Sequence, residues 1–91
     1  MNENAGHRER LDKRVIEQDF ESLKEHEQLE HLLFAVIPRG DTNKIAHRLL
    51  EEYGSIAGVF NANPEELMKI DGVGRRTAMF LASLPHLLGI V

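Results

Sequence analysis

The sequence predicts an all-α protein, a compact bundle of five to six short helices. The bundle contains two related units, each made of two helices joined by a tight turn. Apolar residues recur at the i, i+3 and i+4 spacing of helices that bury one face. Signals for helix starts and helix stops follow each other closely along the chain. The 91 residues suffice for a single small domain with a modest core.

Composition and charge restrict the classes of function. The absence of cysteine excludes disulfides and thiolate metal sites, and it suits the cytoplasm, where we expect the protein to reside. No apolar run reaches the length of a signal core or a membrane span. The net charge of −4 lies in the first 30 residues, with nine acids and five bases, because residues 31–60 and 61–91 hold three of each. A contact with DNA is therefore expected to be local and weak.

The first predicted helix covers residues 6–18 and follows a flexible N-terminus over residues 1–6. Leu11, Val15 and Ile16 give this helix a narrow apolar stripe. Its alternating acidic and basic residues indicate a solvated face supported by ion pairs, with contact to phosphates as the alternative. A connection over residues 19–24 leads to the next helix.

The second predicted helix covers residues 25–36 and belongs to the core. Its apolar residues follow the helical period: Leu29, Leu32, Leu33 and Val36. His26 and His31 are five residues apart and so lie about 140° apart around the helix, which prevents them from sharing a metal ion. No metal site is predicted, and both histidines are expected to be solvated.

The third predicted helix is delimited by signals at both ends. Pro38 disfavours continuation of the preceding helix, and Asp41 or Thr42 caps a new helix over residues 43–53. Its apolar face consists of Ile45, Ala46, Leu49, Leu50 and Tyr53. Gly54 is a typical residue for ending such a helix.

Two further helix starts follow. Ser55 caps a short connector helix over residues 55–61. Asn63 caps the next helix, Pro64 suits its first turn, and Glu66 is placed to reach back to the cap. A last helix runs to about residue 84, where Pro85 ends or kinks it. The inner face of this helix is formed by Ala78, Leu81 and Ala82.

The turn before the last helix carries the candidate site. Gly72 and Gly74 flank Val73, which predicts a sharp reversal with the valine packed between two helices. The amides after the turn and the positive end of the helix dipole favour an anion. The predicted phosphate-binding residues are Gly72, Val73, Gly74, Arg75 and Arg76, with Lys69 assisting from the preceding helix. The alternative is a purely structural turn with solvated arginines.

An internal repeat relates this turn to an earlier one. Residues 37–50 and 70–81 each pass from a turn into a helix, with an offset of 33 at Ile37 and Ile70 and of 32 at Ala46 and Ala78. We predict one domain over residues 7–91. Its parts are a degenerate first hairpin unit (26–53), the connector helix (55–61) and a second hairpin unit (63–84).

The second unit resembles the helix-hairpin-helix motif of DNA repair and recombination proteins, in which hairpin amides bind a phosphate. Three segments together resemble the N-terminal domain of the bacterial RadC family: residues 6–11 (GHRERL), 32–42 (LLFAVIPRGDT) and 49–55 (LLEEYGS). The resemblance covers the chain from Gly6 to about Leu84. It implies a sequence-independent DNA-binding module in a DNA repair family.

The resemblance also implies a larger JAB/MPN-type domain with a His-x-His metal site. The five histidines include no such pair, so the chain is expected to lack this domain, either as an excised N-terminal domain or as a short relative, and an enzyme is not expected. Carbonyl groups of related hairpins also hold a monovalent cation. Whether one binds here is left open, and no other cofactor is expected. In the RadC family a lysine is common at the position of Gly40, so this sequence lacks a possible phosphate contact near the first hairpin. The alternative function is a protein-interaction or regulatory module with a degenerate hairpin and no DNA binding.

Overall fold

The computed structural model describes residues 3–89, and within that range the predicted all-α fold is confirmed. The helices are α1 (Glu3–Glu17), α2 (Glu25–Leu33), α3 (Thr42–Tyr53), α4 (Ile56–Asn61), α5 (Pro64–Leu67) and α6 (Arg75–Leu87). A 3-10 turn over Phe20–Ser22 lies between α1 and α2. The described residues contain no strand.

A single apolar core joins α2 to α6. Its buried members are Leu29, Leu33, Ile45, Ala46, Leu49, Val59, Leu67, Val73, Ala78 and Leu81. Ala46 and Ala78 are fully buried, which lets the helices that carry them approach their neighbours closely. The core therefore places the turn between α5 and α6 against α3.

The predicted caps form as local hydrogen bonds. The side-chain oxygens of Asp41, Ser55 and Asn63 accept from the amides of Lys44, Gly58 and Glu66 at 3.1, 3.0 and 2.9 Å. Gly54 ends α3 with a φ of 83°, in the left-handed region that glycine tolerates. Glu66 does not supply the predicted return bond to the cap. Its Oε1 lies 3.4 Å from Lys69 Nζ instead.

Several predicted boundaries need correction. The helix predicted to open at Gly6 begins at Glu3, because a single interior glycine costs only about 1 kcal/mol and does not stop a helix. The second helix ends at Leu33, and residues 34–36 continue as a tighter turn with i to i+3 hydrogen bonds. In the apolar stripe predicted for α1, Leu11 is buried but Ile16 is 83% exposed.

The last helix passes through Pro85 and ends at Leu87, so the predicted end at Leu84 is wrong. Proline removes one backbone donor, and this close to the end of a helix only one hydrogen bond is lost. The ladder resumes at once, since the Leu88 amide donates to the Leu84 carbonyl at 2.9 Å. Pro85 also lines a small apolar cleft of about 130 Å³ with Phe60 of α4.

Polar contacts hold α1 against the turn between α2 and α3. Arg8 donates to the carbonyls of Pro38 and Gly40 at 3.2 and 3.4 Å, and its guanidinium lies 4.7 Å from the ring centroid of Phe34. A guanidinium over an aromatic face is attracted by the charge distribution of the ring. The first of the predicted hairpin turns is therefore covered by α1.

The carboxylate of Glu30 is fully buried beside the start of α3. It accepts hydrogen bonds from the Thr42 hydroxyl at 3.4 Å and from the side-chain amide of Asn43 at 3.3 Å. His7 Nε2 lies 2.9 Å from the same carboxylate, although its ring is not aligned for a directed hydrogen bond. A buried carboxylate needs such partners, because an unpaired charge in the core is strongly destabilising.

The histidines of α2 are not the solvated side chains that the sequence predicts. The His26 ring stacks on that of His47 with centroids 4.5 Å apart. His31 Nε2 lies 2.9 Å from the Asp12 carboxylate of α1. Both histidines are partly buried because α1 and α3 pack on either side of α2.

Candidate functional site

The turn between α5 and α6 reverses the chain within seven residues, 68–74. Gly72 has a φ of 96°, and a Cβ there would lie 2.8 and 2.9 Å from Cγ1 and Cδ1 of Ile45. Both the backbone conformation and the close approach of α3 therefore require glycine at this position. Val73 is only 5% exposed, so it offers a ligand its backbone and little of its side chain.

Gly74 is the N-cap of α6 and supplies no capping side chain. Its backbone is extended, with φ −89° and ψ −176°, and a Cβ at this position would meet open space. The amides of Arg75, Arg76 and Thr77 donate to no acceptor among the described residues. The first turn of a helix leaves such amides free, and the helix dipole adds positive charge there. The arrangement suits an anion.

The two arginines that follow line one groove. Arg75 and Arg76 are exposed and form no ion pair with another residue of the range 6–89. They border a groove of about 820 Å³ that we call the α6 groove, lined by Ala35, Val36, Arg75, Arg76, Met79, Phe80 and Ser83. Their positive charge thus stands beside the free amides of α6.

Lys69 does not join these arginines. It lines a different cleft, of about 430 Å³, which it shares with Arg48, Glu51 and Asp71 among others. Its Nζ lies 3.4 Å from the Glu66 carboxylate, an exposed ion pair of the kind that contributes little to stability. The structure therefore brings the glycines and arginines together and leaves Lys69 in a separate cleft.

Arg48 is a residue of the site that the sequence analysis missed. Its Nη1 donates to the carbonyl of Asp71 at 3.1 Å, immediately before Gly72, and its Nη2 lies 3.7 Å from the Asp71 carboxylate. The signal available in the sequence is its spacing, since Arg48 lies three residues after Ile45 and shares that face of α3. One hairpin carbonyl thus already interacts with a cationic group of the chain.

The start of α3 differs from the start of α6. Gly40 has a φ of 111° and resembles Gly72 in conformation. The next residue, Asp41, caps α3 with its own carboxylate, which accepts from the Lys44 amide at 3.1 Å. The buried carboxylate of Glu30 lies nearby. An amide at the start of α3 is therefore already bonded to a carboxylate of the chain, whereas the first amides of α6 are free.

The described residues form neither a metal-binding cluster nor a membrane-spanning helix. Between residues 3 and 89, histidine, aspartate and glutamate nowhere form a group of three or more that is placed to hold a metal ion. Within that part of the chain, no helix combines the length and the apolar character needed to cross a membrane.

Comparison with protein families supports the repeat. Residues 42–79 match the family model described as a SAM-like helix-hairpin-helix tandem. The matched segment starts at the first residue of α3, ends within α6 and omits α2. The fold is thus a tandem helix-hairpin-helix domain.

One curated relative is the UPF0758 protein FN0909 of Fusobacterium nucleatum subsp. nucleatum, which is 39% identical over 89 residues, or 98% of this chain. This match confirms the predicted resemblance to the RadC (UPF0758) family over nearly the whole chain. The chain spans 38% of the length of that relative. No solved structure matches the chain significantly.

Proposed function

We propose that this domain binds the DNA backbone without sequence preference through the turn between α5 and α6. The observation that carries the proposal is the uncapped start of α6, where free amides lie beside Arg75 and Arg76, neither of which is ion-paired within residues 6–89. Gly72 shapes the turn, Gly74 leaves room for a phosphate, and Val73 supplies backbone only. Contacts of this kind position a protein on DNA without specifying a sequence.

Lys69 has a secondary role in this proposal. It lies in the neighbouring cleft and adds positive charge near the same strand of DNA rather than contacting the same phosphate. The Asp71 carbonyl is already bonded to Arg48, which argues against a requirement for a monovalent cation at that atom. We assign no catalytic role to the described residues.

The family resemblance extends the proposal to the whole protein. The domain would serve DNA repair in the bacterial cytoplasm, as part of a protein that also contains a JAB/MPN-type domain. The supporting observation is that the relative is much longer than the segment matched here. In this proposal the helical domain contributes contact with DNA, and any metal chemistry belongs to the JAB/MPN-type domain.

A protein-interaction module is the second candidate. It is favoured by the first hairpin, where the Asp41 carboxylate already accepts from an amide at the start of α3, and by the acidic excess of the first 30 residues. Exposed apolar residues at the end of α6, Leu87 and Leu88, also suit contact with a protein. This candidate predicts no salt-dependent affinity for DNA.

Fluorescence anisotropy separates the two candidates. We expect the parent to bind single-stranded, duplex and branched DNA more weakly as salt rises, with a log–log slope of about −0.9 per neutralised phosphate on duplex DNA. The double variant Arg75→Ala, Arg76→Ala should bind several-fold more weakly. An Arg10→Ala, Lys13→Ala double variant of α1 removes the same charge and should bind like the parent.

Two results would reject the proposal. Absence of binding at low salt would leave the protein-interaction module as the better candidate. Equal losses in the two double variants would show that net charge, rather than the turn before α6, governs affinity.

A further inference from the structure

We propose that the α6 groove holds an unpaired nucleobase next to the bound phosphate, so that the preferred substrate is DNA with a single-stranded segment. This inference rests on the proposed function and names the class of DNA that the same site takes. It concerns the side chains beyond the first turn of α6, which the phosphate contact does not use.

Helical spacing makes the groove continuous with the phosphate site. Arg75 and Met79 are four residues apart on one row of α6, and Arg76 and Phe80 form the adjacent row. Four residues advance about 6 Å along the helix axis. When a phosphate is bound at the free amides, the base of the same nucleotide can therefore reach the apolar surface of the groove.

The surface in this position is apolar and accessible. Met79 is 50% exposed, and it also lines an adjoining cleft of about 520 Å³ with Met68, which is 46% exposed, and with Arg75. Exposed large apolar residues next to a charged site are typical of a surface that contacts a ligand. Thioethers are polarizable and pack well against aromatic rings, so these side chains suit the flat face of a base.

The charge of the groove selects the class of ligand. Two arginines without ion pairs in the described range face it, which favours a polyanion over an apolar peptide. Duplex DNA hides the faces of its bases in the stack, whereas an unpaired base exposes a face for stacking or apolar contact. A ligand that combines phosphate and exposed bases therefore matches both the start of α6 and the groove.

The test compares three oligonucleotides by anisotropy at one salt concentration: a single strand, the duplex of the same sequence, and an abasic single strand with the same number of phosphates. We expect the single strand to bind about tenfold more tightly than the abasic strand, since the abasic strand has no base to place in the α6 groove. The duplex should bind about as weakly as the abasic strand.

A matched pair of variants assigns the difference to the groove. Met79→Ala should weaken binding of the single strand about three- to tenfold, the range of a thioether contact with an aromatic ring, and leave the abasic strand unaffected. Ile16→Ala removes an exposed apolar side chain from α1 and should change neither. Because the chain lacks tryptophan, a 2-aminopurine base in the strand gives a direct fluorescence signal of base contact, which should change with the parent and not with Met79→Ala.

The outcomes distinguish this inference from the proposed function. Equal, salt-dependent affinities for the three oligonucleotides would overturn the base subsite and leave the phosphate contact intact. Absence of salt-dependent binding to any of them would overturn both. Displacement of the groove contact by an acidic peptide, with Met79→Ala affecting the peptide alone, would assign the groove to a protein partner and overturn the base subsite.

Discussion

Gly72 lies in the left-handed region at φ 96°, and a Cβ there would lie only 2.8 and 2.9 Å from side-chain carbons of Ile45. Gly74 is extended, with open space beside it. The first glycine is needed by the fold, because any other residue would be strained and would displace α3. The second is compatible with any residue as far as the backbone is concerned. Its missing side chain matters only to what approaches the start of α6.

Substitution should separate these two roles. Gly72→Ala should lower the free energy of unfolding by about 1–3 kcal/mol, since it combines a positive φ with a clash. Gly74→Ser should leave it equal or a few tenths higher, because serine caps a helix at least as well as glycine. Urea unfolding of both variants measures the difference. A Gly72→Ala protein as stable as the parent would show that Ile45 of α3 can shift without lowering the free energy of unfolding.

Residues whose partners lie close in the sequence could be predicted from it. Asp41, Ser55 and Asn63 bond to amides three residues further on, and a pattern of residue types suffices to locate such caps. Arg48 could not be assigned in this way, because its partner, Asp71, is 23 residues away. The contact exists only after the core has packed α3 against the turn.

The helices α3 and α6 both follow a left-handed glycine, yet only α3 begins with a capping carboxylate. At a helix start a carboxylate and a phosphate compete for the same amides and the same dipole. The sequence showed that the first turn lacks the Gly-Val-Gly pattern. The structure adds a physical reason to expect no anion there, because the Asp41 carboxylate already accepts from an amide at the start of α3.

Gly74→Asp should convert the second helix start into a copy of the first. We expect the free energy of unfolding to rise by about 0.5 kcal/mol from the new cap and its interaction with the dipole. Affinity for DNA should fall at least about tenfold, because the carboxylate would repel a phosphate at hydrogen-bond range.

Gly74→Asn is the matched control, since it caps with a similar shape and no charge. Its loss of affinity should be clearly smaller than that of Gly74→Asp in the same anisotropy assay. If neither variant lowers affinity, no anion binds at the start of α6. Equal losses would show that the cap acts by occupying the amides and that its charge adds nothing.

The α6 helix also shows how tertiary context overrides a local signal. Proline disfavours helix continuation, and nothing in the sequence indicated that α6 would continue past Pro85. In the folded chain Pro85 and Phe60 line the same small cleft, and the helical hydrogen bonds resume, since the Leu88 amide donates to the Leu84 carbonyl. Packing against α4 thus extends α6 beyond the boundary that propensity predicts.

The molecule as a whole consists of the tandem helical core and α1, which is attached largely by side chains. Arg8 bonds to the first hairpin turn 30 and 32 residues away, and Arg14 bonds to Glu27 of α2 at 2.9 Å. Sequence periodicity predicted α1 as a helix with a solvated face. It could not predict how α1 docks on the core, because these contacts join single charged residues to groups that are remote in the sequence.

Glu27 makes this attachment sensitive to pH. Burial raises the pKa of its carboxyl, but the Lys24 amide and the Arg14 guanidinium outweigh burial, so the pKa lies below its ordinary value of 4.5. A carboxyl with a lowered pKa in the folded state stabilises the fold above its unfolded pKa, and this contribution is lost as pH falls through the folded value. Docking of α1 should therefore weaken below about pH 4.5.

Glu27→Gln tests this linkage. At neutral pH the variant should be less stable than the parent by about 1 kcal/mol, because the charge-assisted bond to Arg14 is lost. Urea unfolding at about pH 7 and at successive steps below about pH 4.5 should show the stabilities of the two proteins converging as the parent carboxyl becomes protonated. Glu21→Gln changes an exposed carboxylate on the 3-10 turn and should keep the pH dependence of the parent. A constant gap between Glu27→Gln and the parent at every pH would mean that packing, and not charge, holds α1 in place.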